Sequence, residues 1–146
     1  MKKLILFVFI VILTFILYLF FRNDSFVQLK INAQTLKVEI ADEKAEQELG
    51  LMNRESLSED KGMLFVYQTG IAPNFWMKNM LIPLDMIFIS PDKTINHIEK
   101  NIPPCTEKEA EQCPTYTSPF PTQYILEVNA GYAEKYKLKE GDTAEF

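Results

Sequence analysis

A long apolar stretch lies near the start of the chain. Lys2 and Lys3 precede residues Leu4 to Phe21, broken only by Thr14 and Tyr18, and polarity returns at Arg22-Asn23-Asp24. As a helix this stretch would rise roughly 27 Å, about the thickness of a bilayer's hydrocarbon core. A cleaved signal peptide has a shorter apolar centre, about 7–15 residues, and ends on small residues. Here the stretch stays bulky to its end at Tyr18-Leu19-Phe20-Phe21. The pattern therefore predicts an uncleaved signal anchor over residues 1–22, in contact with the lipid bilayer through residues 4–21. Two lysines before the stretch against a single Arg22 after it place the N-terminus in the cytoplasm. Residues 23–146 then form an extracytoplasmic domain, periplasmic or extracellular.

Beyond the anchor the period changes to two. Ser25 to Ile31 and Thr35 to Ile40 read as strands, the second with Leu36, Val38 and Ile40 on one face and Lys37 and Glu39 on the other. A short helix follows, with Asp42 as N-cap and Ala45, Leu49 and Met52 on a common face. Further strands are expected at Met63 to Tyr67, Asp85 to Ser90, Thr94 to Glu99, Gln123 to Asn129 and Thr143 to Phe146. A second short helix is expected over Gly131 to Lys137. Many short strands at this spacing predict a mainly β domain, a compact sandwich or barrel with one or two short helices.

Charge and cysteines refine this picture. Removing Lys2, Lys3 and Arg22 from 15 basic residues leaves 12 against 20 acidic ones, so the outer domain carries about −8. Such a surface disfavours nucleic acid. Cys105 and Cys113 are the two cysteines of the chain. An even count in an outward-facing domain predicts one disulfide, closing the polar segment between them. The spacing is not the C-x-x-C of a redox-active pair. With His97 as the one histidine, no closed zinc site is expected.

Four ordered segments carry a family resemblance: ELGLMNRESLSEDKGMLFVY, NFWMKNMLIPLDMIFIS, NIPPCTEKEAEQCPTYTSP and YILEVNAGYAEKYKLKEGD. Together they resemble the domain of unknown function numbered 192, over about residues 26 to 146. The resemblance implies small prokaryotic proteins, often behind a signal or anchor. It also implies a jelly-roll-like β fold and no established activity.

Candidate chemistry is sparse. Asp85 lies among apolar residues, where a carboxylate is costly unless paired. Arg54 is the expected partner and Asn79 a further member of the network. Trp76 either fills the core or serves as a stacking platform, with Tyr116 and Tyr124 as neighbours able to hold a sugar face. Arg54, Trp76, Asn79 and Asp85 thus form a candidate polar binding cluster, with Lys78, Tyr116 and Glu127 as secondary members. Glu127 is a second carboxylate in apolar surroundings, and Asp85 with Glu127 could form the acid–base pair of a glycan hydrolase. No nucleophile elbow is present, and His97 is expected half exposed. No catalytic residue, metal or cofactor is assigned. The pattern favours a non-enzymatic binding or accessory module of the cell envelope, with a small ligand, glycan or envelope protein as partner. The alternatives are an envelope-polymer hydrolase using Asp85 and Glu127, and a structural or assembly partner of a membrane complex.

Overall fold

The computed structural model describes residues 26–68, 74–107 and 109–146, together with Thr14. The expected anchor over residues 4–21 lies outside the described residues, Thr14 excepted. Among the described residues, no helix is long and apolar enough to cross a membrane.

The domain is mainly β. Its strands are β1 (Phe26–Ile31), β2 (Gln34–Ala41), β3 (Lys61–Val66), β4 (Phe75–Trp76), β5 (Leu84–Ile89), β6 (Ile95–Ile102), β7 (Thr115–Tyr116), β8 (Tyr124–Asn129) and β9 (Ala144–Glu145). Two short helices, α1 (Lys44–Leu49) and α2 (Tyr132–Lys135), and one 3-10 turn (Ala110–Gln112) complete it. Seven strands form one curled sheet in the order β6-β5-β8-β3-β2-β1-β9, while β4 and β7 pair separately. All pairings are antiparallel except β2 with β3, which α1 and its following loop connect.

The curl brings the two sheet edges together at one end. Thr94 bridges Thr143, the Ile95 N–H donates to the Asp142 carbonyl at 2.8 Å, and the Ala144 N–H donates to the Lys93 carbonyl at 2.9 Å. An edge that meets another edge offers fewer unpaired backbone groups to other chains.

Alternation along the strands builds two cores. Leu36, Val38, Leu64, Ile87, Ile89, Leu126 and Val128 fill the concave side with α2 residues Tyr132 and Ala133. On the other face Met63, Phe65, Met86, Phe88 and Ile125 pack under Leu51, Phe75, Met77 and Met80. Every residue of β5 is consequently buried. Gly62 allows β3 and β8 to approach, because a Cβ there would stand 2.7 Å from the Glu127 carbonyl oxygen.

The expected strands fall within a few residues of those observed, but helix α1 differs. Its N-cap is Glu43, not Asp42, and Glu46 Oε2 accepts from the Glu43 N–H at 3.4 Å. No residue of α1 is buried, and Leu49 is 56 % exposed. Six residues make too short a helix to present a continuous apolar stripe. Leu51, just beyond the Gly50 C-cap, takes the core position instead. Gln47 secures α1 to the sheet by donating to the Val66 carbonyl at 2.8 Å.

Cys105 and Cys113 form the expected disulfide, with Cα atoms 5.7 Å apart. The Cys105 N–H also donates to the Met77 carbonyl at 3.0 Å, tying the closed loop to the segment after β4.

Candidate functional site

The proposed polar cluster separates in space. Arg54 pairs with Glu39 rather than Asp85: Nη1 lies 2.5 Å from Oε1 and Nη2 lies 2.7 Å from Oε2, a two-pronged bond between β2 and the loop after α1. Asn79 is exposed, adopts φ 57°, and directs Nδ2 toward Met52 Sδ at 3.9 Å. Lys78 donates to the Glu107 carbonyl at 2.7 Å. Tyr116 lies opposite Phe75 in the β4–β7 pair. Tyr124 packs its ring on Phe146 on the concave side, centroids 5.0 Å apart, and so does not join Trp76.

Asp85 is fully buried, and its partners are backbone groups. Oδ1 accepts from the N–H of Asn101 at 2.8 Å and of Gly131 at 3.1 Å, and Oδ2 accepts from the Ala133 N–H at 2.8 Å. Gly131 holds φ 83°, a left-handed conformation that favours glycine. One carboxylate thereby joins β5, the end of β6 and the start of α2. Sequence reasoning could not find these partners, since any residue type supplies a backbone N–H.

Asp85 and Glu127 do not form an acid–base pair. Across the β5–β8 ladder Asp85 is opposite Val128 and Met86 is opposite Glu127. Neighbouring positions on a strand point to opposite faces. Asp85 therefore shares the concave side with Ile87, and Glu127 shares the other face with Ile125.

Glu127 is the unusual group. It is 5 % exposed, flanked across the sheet by Met63 on β3 and Met86 on β5. Among the described residues its carboxyl makes no hydrogen bond or ion pair. Desolvation by these apolar neighbours pushes its pKa up from 4.5 to about 8. No buried side-chain oxygen or nitrogen lacks a partner in the described residues. The Glu127 oxygens must therefore retain some solvent contact, and a cleft supplies it.

That cleft has a free volume of about 60 Å³ and lies between α1, β4 and β8. Glu127 forms part of its wall with Phe65, Tyr67, Phe75 and Leu51, and Trp76 stands at the rim, 43 % exposed. Phe65 and Tyr67 each meet Phe75 edge to face, at 4.9 and 6.0 Å between centroids. The Tyr67 hydroxyl is pushed up to about 12, first by burial and then by the charge of Glu127. The cleft continues outward past Lys44, Gln47, Glu48 and Asn74. Of the expected cluster, Trp76 and Glu127 come together here. Among the described residues no three His, Cys, Asp or Glu side chains converge as metal ligands.

A mainly β domain on one curled sheet, with a small cleft over a buried carboxyl, is the class these features define. The chain belongs to the family of the domain of unknown function 192, described as an uncharacterized ACR, whose model matches residues 27–146. Its structure is similar to that of a protein of unknown function from Novosphingobium aromaticivorans DSM 12444. The two are 31% identical with a TM-score of 0.77, covering 86% of this chain and 89% of that one. It is also similar to a Sinorhizobium meliloti 1021 protein described as a candidate transcription regulator. That pair is 35% identical with a TM-score of 0.75, covering 83% of this chain and 93% of that one. No match was found among curated proteins.

Two outcomes follow from the contrasting carboxylates. Asp85→Ala strands three backbone N–H groups and is expected to lower stability by roughly 2–4 kcal/mol, read from urea unfolding. A loss below about 0.5 kcal/mol would contradict the tie. Glu127 has the opposite signature. Its folded pKa of about 8 exceeds the unfolded value near 4.5, so its contribution is fully present below pH 4.5 and is lost as pH rises toward 8. The loss is on the order of a few kcal/mol. Glu127→Gln is expected to flatten the dependence of the urea midpoint on pH between 5 and 8. An unchanged slope would mean the carboxyl is solvated.

Proposed function

We propose that this chain is a membrane-tethered, extracytoplasmic binding module that takes the polar head of a small ligand into the Glu127 cleft. The observation that carries this reading is a buried carboxyl, without a partner among the described residues, beside an aromatic-walled cleft with an exposed tryptophan at its rim. A binding cleft commonly combines apolar walls with a few convergent polar groups. Glu127 supplies the polar group, and Trp76 offers a ring face to the remainder of the ligand. The tether is supported by the apolar stretch of residues 4–21 and by the two lysines before it. The jelly-roll-like form belongs to this reading as the scaffold that presents the cleft.

A hydrolase using Asp85 and Glu127 has no geometric support, because the sheet separates the two side chains. A role in DNA regulation, the description attached to the Sinorhizobium relative, sits poorly with an outer domain near −8. Exposed Leu49 beside Trp76 favours a second use of the same rim, contact with an envelope protein that presents the ligand.

Trp76 is the single tryptophan of the chain, so its fluorescence reports directly on this rim. The full chain is to be held in phosphatidylglycerol nanodiscs and titrated with oligosaccharides, short peptides and small amines. At least one class is expected to give a saturable change in emission that Glu127→Gln weakens. Silence across all three classes would overturn the binding reading.

A further inference from the structure

We infer that the Glu127 cleft is a site for a small organic ammonium group, with the Glu127 carboxylate as counter-ion and the surrounding rings as an aromatic cage. This inference rests on the binding reading above and specifies its ligand. The geometry selects a cation in three ways. First, the carboxyl makes no hydrogen bond or ion pair among the described residues and lies between Met63 and Met86, so its ionised form has no charged partner at this wall. An arriving cation supplies the missing partner, in a desolvated setting where charge-assisted bonds are strongest. Second, Phe65 and Tyr67 each stand edge to face with Phe75 at the cleft, with interplanar angles of 88° and 80°. Rings set at right angles can offer faces to a cation from more than one direction. Third, the inner part of the cleft, with a free volume of about 60 Å³, takes a head group of one nitrogen and one or two carbons, and the rest of a ligand would lie in the outer part past Trp76 and Asn74.

The outer mouth is arranged compatibly. Lys44 and Glu48 form an exposed ion pair there, 3.6 Å apart, so the lysine's charge is partly offset rather than turned on the entering cation. The ionisable groups on the inner wall are Glu48, Tyr67 and Glu127. None is cationic, and each either attracts an ammonium or is neutral near pH 7. In the empty state Glu127 holds its proton around neutral pH. Binding of R–NH3+ releases that proton to solvent and leaves a carboxylate–ammonium pair, which balances charge. Affinity is thus coupled to pH: only the ionised fraction of Glu127 is competent, and that fraction grows from pH 6 to pH 8.5.

The test uses the full chain in phosphatidylglycerol nanodiscs, whose lipid carries no ammonium. Trp76 emission is followed during titration with methylammonium chloride, with Nα-acetyl-lysine amide, and with methanol and sodium chloride as neutral and ionic controls. Methylammonium or the lysine derivative is expected to bind saturably, at least about tenfold more tightly at pH 8.5 than at pH 6. Glu127→Gln is expected to abolish the effect, while the controls do nothing. Binding by the lysine derivative alone would point to a protein side chain as the source, and binding by methylammonium alone to a free amine. Equal affinity at the two pH values, or full binding by Glu127→Gln, would overturn the inference. An oligosaccharide that binds while both ammonium compounds are silent would end the ammonium assignment and leave the binding reading standing. Silence of every compound would end both. Cooperative urea unfolding of both the parent chain and Glu127→Gln, followed in parallel, establishes that each protein tested is folded.

Discussion

Burial of the central strands on both faces governs what a carboxylate on them can do. β5 is buried throughout, and β3 and β8 carry apolar side chains toward both cores. An ionised carboxyl in such a place needs compensation or stays protonated. Among the described residues there is one example of each outcome. Asp85 receives three backbone N–H bonds and becomes a structural junction. One position along on the paired strand, facing the other way, Glu127 receives none and borders a cleft.

This contrast separates structure from candidate function better than residue type does. Both residues are acidic, buried and set in apolar sequence, and both were candidates for a site, Asp85 in the main cluster and Glu127 as a secondary member. Their difference arises from which face each side chain takes and what that face meets. The concave face meets the α2 turn, where Gly131 exposes backbone donors. The other face meets side chains of Met63, Met86 and Phe65, which donate nothing. A group that costs stability and has no structural partner is better explained by what it binds than by what it holds together.

The sequence made the strands legible because alternation such as Leu36, Val38 and Ile40 directly reflects a covered face. The disulfide was legible from the even count of two cysteines in a polar, proline-flanked segment. The site was legible only in part. Trp76 and Glu127 were singled out as residues, but their meeting depends on the β3–β8 pairing and on the passage of α1 over that face, which no local pattern encodes. Arg54 was assigned the wrong carboxylate because Glu39, at a polar position of an alternating strand, gave no sign of needing a partner, whereas Asp85 in apolar sequence did. Leu49 was placed on a common helix face with Ala45 and Met52 by spacing, yet α1 ends before that spacing matters and Leu51 does the packing. Gln47 and Tyr67, which help to shape the cleft, carried no sequence signal beyond ordinary composition.

The account depends on Glu127 being an uncompensated carboxyl beside an open cleft. Carbon-13 NMR of the full chain labelled at glutamate side chains, with Glu127 assigned through Glu127→Gln, would follow its carboxyl carbon directly through a pH titration. The account predicts a midpoint near 8 in the ligand-free protein. A midpoint in the ordinary carboxylate range near 4.5 would show that solvent or an unrecognised partner already satisfies the group, and the case for the cleft as a site would fall with it.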